Sequence, residues 1–367
     1  MQSSEKFYQV ALSRIPQIGV VNARRLVSYA GSASEIFKAS RVDLQKIPHI
    51  GPILAESVFQ KTYLHEAESI LRACESSQIT ILFYLDDVYP DRLKHIYDAP
   101  LVLYYQGSAD LNQARSLAVV GTRKATDYGK RMTQSLLEQS IGCPVVFVSG
   151  LAYGIDIEVH KHCINLGLEN IAVLAGGFNY VYPAKHKRFL DQMVQCGGVL
   201  SEYPLHQKPD PRFFPLRNRI IAGMTDATVV IEAAEKGGAL ITADYANNYH
   251  REVFAVPGNL EKIFSEGCNA LIQKHKANIY TSWEALALQM NWALAGDRVQ
   301  PKKQLSLNRL TEDESQLMAI LIKEGECSLD QLAWRAQKKV TDLAITLLNL
   351  EFQGLVKALP GYMYRIK

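Results

Sequence analysis

Long apolar runs are missing from this 367-residue chain. None approaches the ~18 residues that a membrane-spanning helix needs. The opening residues, MQSSEKFYQV, carry no basic segment followed by an apolar stretch, so we expect a cytoplasmic protein with no membrane partner. The six cysteines (Cys74, Cys143, Cys163, Cys196, Cys268 and Cys327) are scattered, without a C-x-x-C pair. They read as small buried hydrophobes in a reducing compartment. Charge of one sign is scarce too, the formal net charge being +3. Bulk basicity cannot hold nucleic acid, and any such surface has to come from local clustering.

What the chain does have is an alternation of β-type and helical runs. Strands are expected at Ile79–Leu85 and Leu101–Gln106, then at Leu117–Val120, Val145–Val148, Ile171–Leu174, Gly198–Leu200, Thr228–Ile231, Val253–Val256 and Asn278–Tyr280. Helical stretches separate the later ones, among them Asp127–Ile141 and Ala184–Cys196. Strands spaced by helices predict a Rossmann-like, mostly parallel α/β sheet with right-handed crossovers and helices on both faces. Cofactor fingerprints are nevertheless absent. The first turn, Gly121-Thr122-Arg123, has no second glycine until Gly129, and the second strand ends in Ser149-Gly150, not in an acidic residue. A dinucleotide site needs both features. No G-x-x-x-x-G-K-[ST] motif occurs either, so neither NAD nor ATP is expected and no cofactor is assigned.

The flanks differ from this core, and the length allows two or three domains. We divide the chain into a helical domain (1–75), a Rossmann-like domain (76–295), a polar linker (296–310) and a small C-terminal domain (311–367). In the first, IPQIGVVNARRLV (from Ile15) returns 32 positions later as IPHIGPILAESVF (from Ile47). This resembles the helix-hairpin-helix pattern, also found in SAM-like domains, whose tight hairpin offers backbone N–H groups to a DNA phosphate. Gln17 and His49 stand where the pattern's first glycine normally lies, and a purely structural helical domain fits as well. In the last domain, Thr311–Glu314 and Ser328–Gln331 read as capping boxes. Val340, Leu343, Leu347 and Leu350 then form one apolar stripe, Gly354 ends that helix, and a strand, a Pro-Gly turn and a strand follow. This describes a winged helix. Its third helix shows Asp342, Thr346 and Asn349 outward, which favours a protein-contact or structural role over groove reading.

The turns of the α/β core carry the chemistry. VVGTR, VSGLAYGID, VLAGGFNYVYP, FFPLRNRIIAG and EAAEKGGALITADYA place glycine beside basic or aromatic residues. Such turns converge on one crevice in this fold class, and glycine lets backbone N–H groups approach an anion. From Tyr182 to Arg219, seven cations (Lys185, Lys187, Arg188, Lys208, Arg212, Arg217, Arg219) face three carboxylates and are interleaved with aromatics. Charge to track a backbone, with rings to stack on bases, is the recipe for single-stranded nucleic acid. A solvated surface over an aromatic core fits the same residues.

The ordered motifs GTRKATDYG, VSGLAYGIDIEVHK, AVLAGGFNYVYPAKHKRF, GGVLSEYP, FFPLRNRIIAGMTDATVVIEAAEKGGALITADYA, VFAVPGN and EGCNALI resemble the DNA-processing protein A family (DprA, also called Smf). That resemblance implies a cytoplasmic single-stranded DNA-binding protein of natural transformation, one that protects incoming strands, helps load the RecA recombinase, acts as a homodimer and catalyses nothing. By the same resemblance Gly121 and Arg123 hold phosphate, while Ser149, Gly150, Gly176 and Gly177 offer backbone N–H groups. Lys185, His186, Arg217, Asn218 and Arg219 then line a positive channel, and Phe214 is the stacking candidate.

A nucleotide-processing hydrolase of the lysine-decarboxylase-like family is the alternative. Gly237–Thr242 imitates its signature, but the glycine before Thr242 and the glutamate after it are missing. Asp156 and Glu232 read as capping or loop-holding carboxylates. His160, His162 and Cys163 do not complete a metal site, since helix spacing puts the histidines on different faces.

Overall fold

In the computed structural model, which describes residues 5–59, 62–292, 311–352, 355–359 and 361–366, the two near-repeats fold the same way. The helices are α1 (Glu5–Arg14), α2 (Val20–Ala30), α3 (Ala33–Lys38), α4 (Arg41–Gln45), α5 (Pro52–Val58) and α6 (Thr62–Ser76). Each repeat makes a hairpin closed by Ile18 N–H to Ile15 O (3.3 Å) and by Ile50 N–H to Ile47 O (3.0 Å). Ile15, Ile18, Ile47 and Ile50 are all buried. Gln17 (φ 67°) and His49 (φ 64°) adopt the left-handed backbone that glycine would take there without strain. The departures from the pattern change the residue and keep its conformation. Ser32 and Ser40 cap α3 and α4 through the N–H groups of Glu35 and Asp43.

The described residues within 1–69 and 298–367 form one compact unit, and those within 70–297 form a second. The second unit holds β1 (Thr80–Phe83), α7 (Asp91–Lys94), β2 (Val102–Gly107), β3 (Ser116–Val120), α8 (Asp127–Gln139), β4 (Val146–Ser149), α9 (Ile155–Leu166) and β5 (Asn170–Leu174). Then follow α10 (Leu190–Gln195), β6 (Gly197–Ser201), α11 (Phe213–Gly223), β7 (Ala227–Val230), α12 (Gly238–Asn248), β8 (Glu252–Ala255), α13 (Ile263–Gln273), β9 (Asn278–Ile279) and α14 (Trp283–Gln289). The single helix expected over Ala184–Cys196 is instead a 3-10 segment, Ala184–Phe189, leading into α10.

All nine expected strands form one sheet in the order β1-β2-β6-β5-β4-β3-β7-β8-β9. From β6 to β9 the pairing is parallel, and β1 and β2 add an antiparallel edge. Every residue of β3, β4, β5, β6 and β7 is buried, as continuous apolar runs covered on both faces should be. Leu117, Val119, Phe147, Val229 and Phe254 share one core with Leu136 and Leu137 of α8, Val159 of α9, and Trp283 and Leu286 of α14. Helix α11 packs on β5, and α12 packs on β7 and β8 as well as on α11. The chain runs outward from β3 through β4, β5 and β6, then crosses back to place β7 on the other side of β3. The strand order therefore reverses between β3 and β7, and ligands of open α/β sheets bind outside the carboxyl ends at that point.

The C-terminal segment forms α15 (Glu312–Glu324), β10 (Glu326–Ser328), α16 (Leu329–Ala336), α17 (Val340–Phe352), β11 (Val356–Leu359) and β12 (Met363–Ile366), with sheet order β10-β12-β11. Both expected capping boxes are present. Leu343, Leu347 and Leu350 are buried with Val340 against them, which is the apolar stripe of a winged helix. The linker and the terminating Gly354 lie outside the described residues, as does Pro360 of the expected turn.

Candidate nucleic-acid interface

At the switch point a crevice of about 980 Å³ opens between the turn after β3 and the turn after β7. Its walls include Gly121, Arg123, Phe214, Arg217 and Asn218, with Tyr182, Lys124, Gly237 and Gly238 completing the rim. The first turn is held by close packing. Ile155 donates its N–H to Thr122 O (3.1 Å) and Thr122 donates to Glu232 O (2.7 Å). A Cβ on Gly121 would overlap Ile155, and one on Gly154 (φ 76°) would overlap the Thr122–Arg123 backbone. Glycine is required at both positions because the turn presses directly onto the start of α9. Arg123 emerges from this fixed turn into solvent.

Arg123 meets an aromatic wall. Its guanidinium carbon lies 5.4 Å from the centre of the Phe214 ring, whose edge meets Tyr182 at 5.6 Å. Tyr182 in turn meets Tyr153 at 6.4 Å, and the Lys185 ammonium sits 4.5 Å over the Tyr153 ring. Cation–ring contacts orient these charges without cancelling them. Among the described residues Arg123 and Lys185 have no salt bridge. Tyr153 and Tyr182 are among the exposed large side chains, and Phe214 is half-buried. Phe213 instead stacks on Tyr203 at 4.1 Å, so the two adjacent phenylalanines divide into one inner and one crevice ring.

Arg217 reaches the crevice floor from below. It is buried, and its Nη1 donates to Gly150 O (2.6 Å) and to Val173 O. Burial lowers its pKa to about 10 against the pull of Asp156, so it remains a cation at neutral pH. Asp156 accepts N–H groups from Ala152 and Gly150; burial raises its pKa, and Arg217 opposes that rise. The loop-holding role expected for Asp156 is what its contacts describe. Glu232 does the same for α8, accepting from Thr126 N–H (3.0 Å) and Oγ1 (2.5 Å). His186 is buried, its Nδ1 2.8 Å from Leu151 O, and burial together with Lys185, Lys161 and Arg188 lowers its pKa.

The structure does not gather every expected residue. Lys185 and His186 line a smaller concavity beside the crevice that shares Arg123 with it. Arg219 points away, buried in a two-pronged pair with Glu202 (2.5 and 2.6 Å) and bonded to Asp98 O. Gly177 donates its N–H to Gln207 O (2.8 Å), Gly150 donates to Asp156, and the Ser149 hydroxyl donates to Val119 O (2.7 Å). A Cβ added to Gly176 would press on Pro209 at 3.2 Å. These five residues build the crevice without lining it. Sequence reasoning brought the Gly237–Gly238 turn to the crevice without naming its glycines as site residues, and it assigned no contact to Tyr153 or Lys124. The glycine turn is the start of α12, which no side chain caps, and the glycine pair before an apolar helical run was its available signal.

Among the described residues no helix is long and apolar enough to cross a membrane. Residues 80–291 match the family model described as DNA recombination-mediator protein A, and residues 301–362 match the DprA winged helix domain. The chain is 32% identical to Protein Smf of Synechocystis sp. over 100% of both chains. The X-ray structure of DNA processing protein A from Streptococcus pneumoniae superposes with a TM-score of 0.64 at 31% identity, covering 79% of this chain and 99% of that one. DNA processing protein A from Helicobacter pylori, described for its single-stranded DNA binding mode, gives 0.53 at 26% identity, over 59% and 96%. With the sheet, the winged helix and the crevice turns all in accord with these matches, the chain belongs to the DNA recombination-mediator protein A family.

Proposed function

We propose that the crevice binds single-stranded DNA, and that the protein protects such strands and helps load the RecA recombinase during DNA uptake, as a cytoplasmic homodimer without catalysis. One observation carries the reading: an unpaired Arg123 guanidinium set against the Phe214 and Tyr182 rings at the strand-order reversal. A phosphate can take the planar fork of the arginine while adjacent bases meet the rings. The single-strand binding described for the Helicobacter pylori relative supports the same ligand. A duplex hides its base faces, so it gains the charge term only.

The hydrolase reading loses support because Glu232 and Asp156 are both committed to backbone and cap contacts, and a general base needs a free carboxylate within reach of substrate. Dimerisation is supported by apolar exposure at Leu260, at Ile279 of the edge strand β9 and at Leu288. On α17 the exposed side chains include Ile345 and Leu348, which suits a protein contact for the winged helix.

Anisotropy titrations of oligo-dT, a duplex of equal length and AMP test the central claim. Oligo-dT should bind far more tightly, with affinity falling with salt at a log–log slope of about −0.7 per neutralised phosphate. Equal affinity for the duplex, or release of free base from AMP, would end the reading. Light scattering tests the dimer, and RecA filament growth on single strands tests the loading step.

A further inference from the structure

Beside the crevice lies a second concavity of about 330 Å³ that the crevice reading does not use. It is formed where the Arg123–Ala125 turn, helix α8, helix α9 and the 3-10 segment Ala184–Phe189 meet. Arg123, Lys124, Lys130, Lys161, Lys185 and Arg188 line it, and Glu158 is the one carboxylate among its walls. Six cations against one anion exceed the +3 of the entire chain. Glu158 is already taken by Lys161 (2.8 Å). Lys130 has only a loose partner, Asp127 at 3.6 Å, which is almost fully exposed. Lys185 and Arg188 rest over the rings of Tyr153 and Phe189, at 4.5 and 4.8 Å. His186, also in the wall, is 97% buried as its 3% exposure gives, and its Nδ1 is occupied by Leu151 O.

Like charges gathered in a concavity repel one another, and a bound anion relieves that repulsion. The concavity shares Arg123 and Lys124 with the crevice, so a polyanion leaving one enters the other without a break. We propose that this concavity is a second phosphate subsite, which takes the backbone of the same DNA strand as it leaves the crevice past Arg123. The inference rests on the crevice reading above. The rings beneath Lys185 and Arg188 hold those cations toward the strand, whereas the crevice proper supplies the stacking.

The test uses the full-length protein and oligo-dT of about 6 and about 20 nucleotides, lengths bracketing common single-strand site sizes. The variant is Lys130→Gln/Lys161→Gln/Arg188→Gln, compared with Arg123→Ala. For the triple variant, short oligo-dT should bind as in wild type, while the affinity gained by lengthening should fall about tenfold, with the salt slope reduced by roughly two at ~0.7 per lost contact. If the triple variant does not fold, the exposed pair Lys130→Gln/Arg188→Gln should show a slope reduced by roughly 1.4. An unchanged length gain and slope, with Arg123→Ala still losing the short oligomer, overturns the subsite and leaves the crevice reading standing. If Arg123→Ala binds both lengths like wild type, the crevice reading falls and the subsite falls with it.

Discussion

Arg123 and Arg219 carry the same side chain, sit on the same domain, and were both expected on the DNA-binding surface, yet the fold gives them opposite employment. Arg123 leaves a rigid glycine turn, lies against a ring, and makes no salt bridge among the described residues. Arg219 is buried, clamped by Glu202 and bonded to the Asp98 carbonyl. Arg217, two positions earlier, is intermediate: its charge underlies the crevice, but its N–H groups hold Gly150 and Val173. A cation available to a ligand is one whose hydrogen bonds the protein has left unmade. Counting arginines in a motif cannot distinguish the two.

Mutation should separate them, and the largest effect belongs to the interior. Arg219→Ala leaves the half-buried Glu202 without its partner, which should cost about 3 kcal/mol of stability in denaturant unfolding, with oligo-dT affinity of the folded fraction unchanged. A weakened affinity at normal stability would place Arg219 with Arg123 after all. The interior also governs the acid response. His160 is buried against Asn170 (2.8 Å), and burial lowers its pKa to about 4. The unfolded chain binds that proton from about pH 6.5 downward. Stability is therefore full above pH 6.5 and falls progressively as pH drops toward 4, by about 3 kcal/mol from this group. Unfolding measured across that window should flatten in His160→Gln.

At the crevice the expected change is in binding. Arg123→Ala should weaken oligo-dT by roughly ten- to a hundredfold, the equivalent of ~1.5–3 kcal/mol for one charge-assisted contact, and should melt like wild type. Arg123→Lys should recover only part, since ammonium lacks the planar fork. Phe214→Leu keeps apolar volume but removes the stacking face, worth about 1–3 kcal/mol per base; affinity at wild-type level would assign the ring to packing alone. Ile345→Ser with Leu348→Ser on α17 should change oligo-dT affinity by less than about twofold, because these side chains offer the strand neither a cation nor a stacking ring.

Much of this was legible because it is local. Nine strands, two capping boxes and the stripe Val340–Leu350 follow from neighbours within a few residues. The near-repeat is local as well, and Gln17 and His49 take the same left-handed backbone angle in its two copies. Most of the misplaced residues depend on partners far along the chain. Gly177 is engaged by Gln207 and Arg219 by Glu202, because the segment after β6 folds back over the turn after β5. Tyr153 joins the wall because Gly154 bends the chain beneath Arg123. No periodicity encodes either event.

The strand order has a consequence for synthesis. The central strand β3 and the antiparallel strand β2 leave the ribosome early, but their partners β7 and β6 are encoded roughly a hundred residues later. At about 5–20 residues per second, each waits on the order of 5–20 s with a row of backbone groups unpaired. The nascent chain thus leaves these two strands half-paired longest. Slowed elongation through α9 to α11 should lower soluble yield far more than the same delay placed in the winged helix, whose three strands are made within one short stretch.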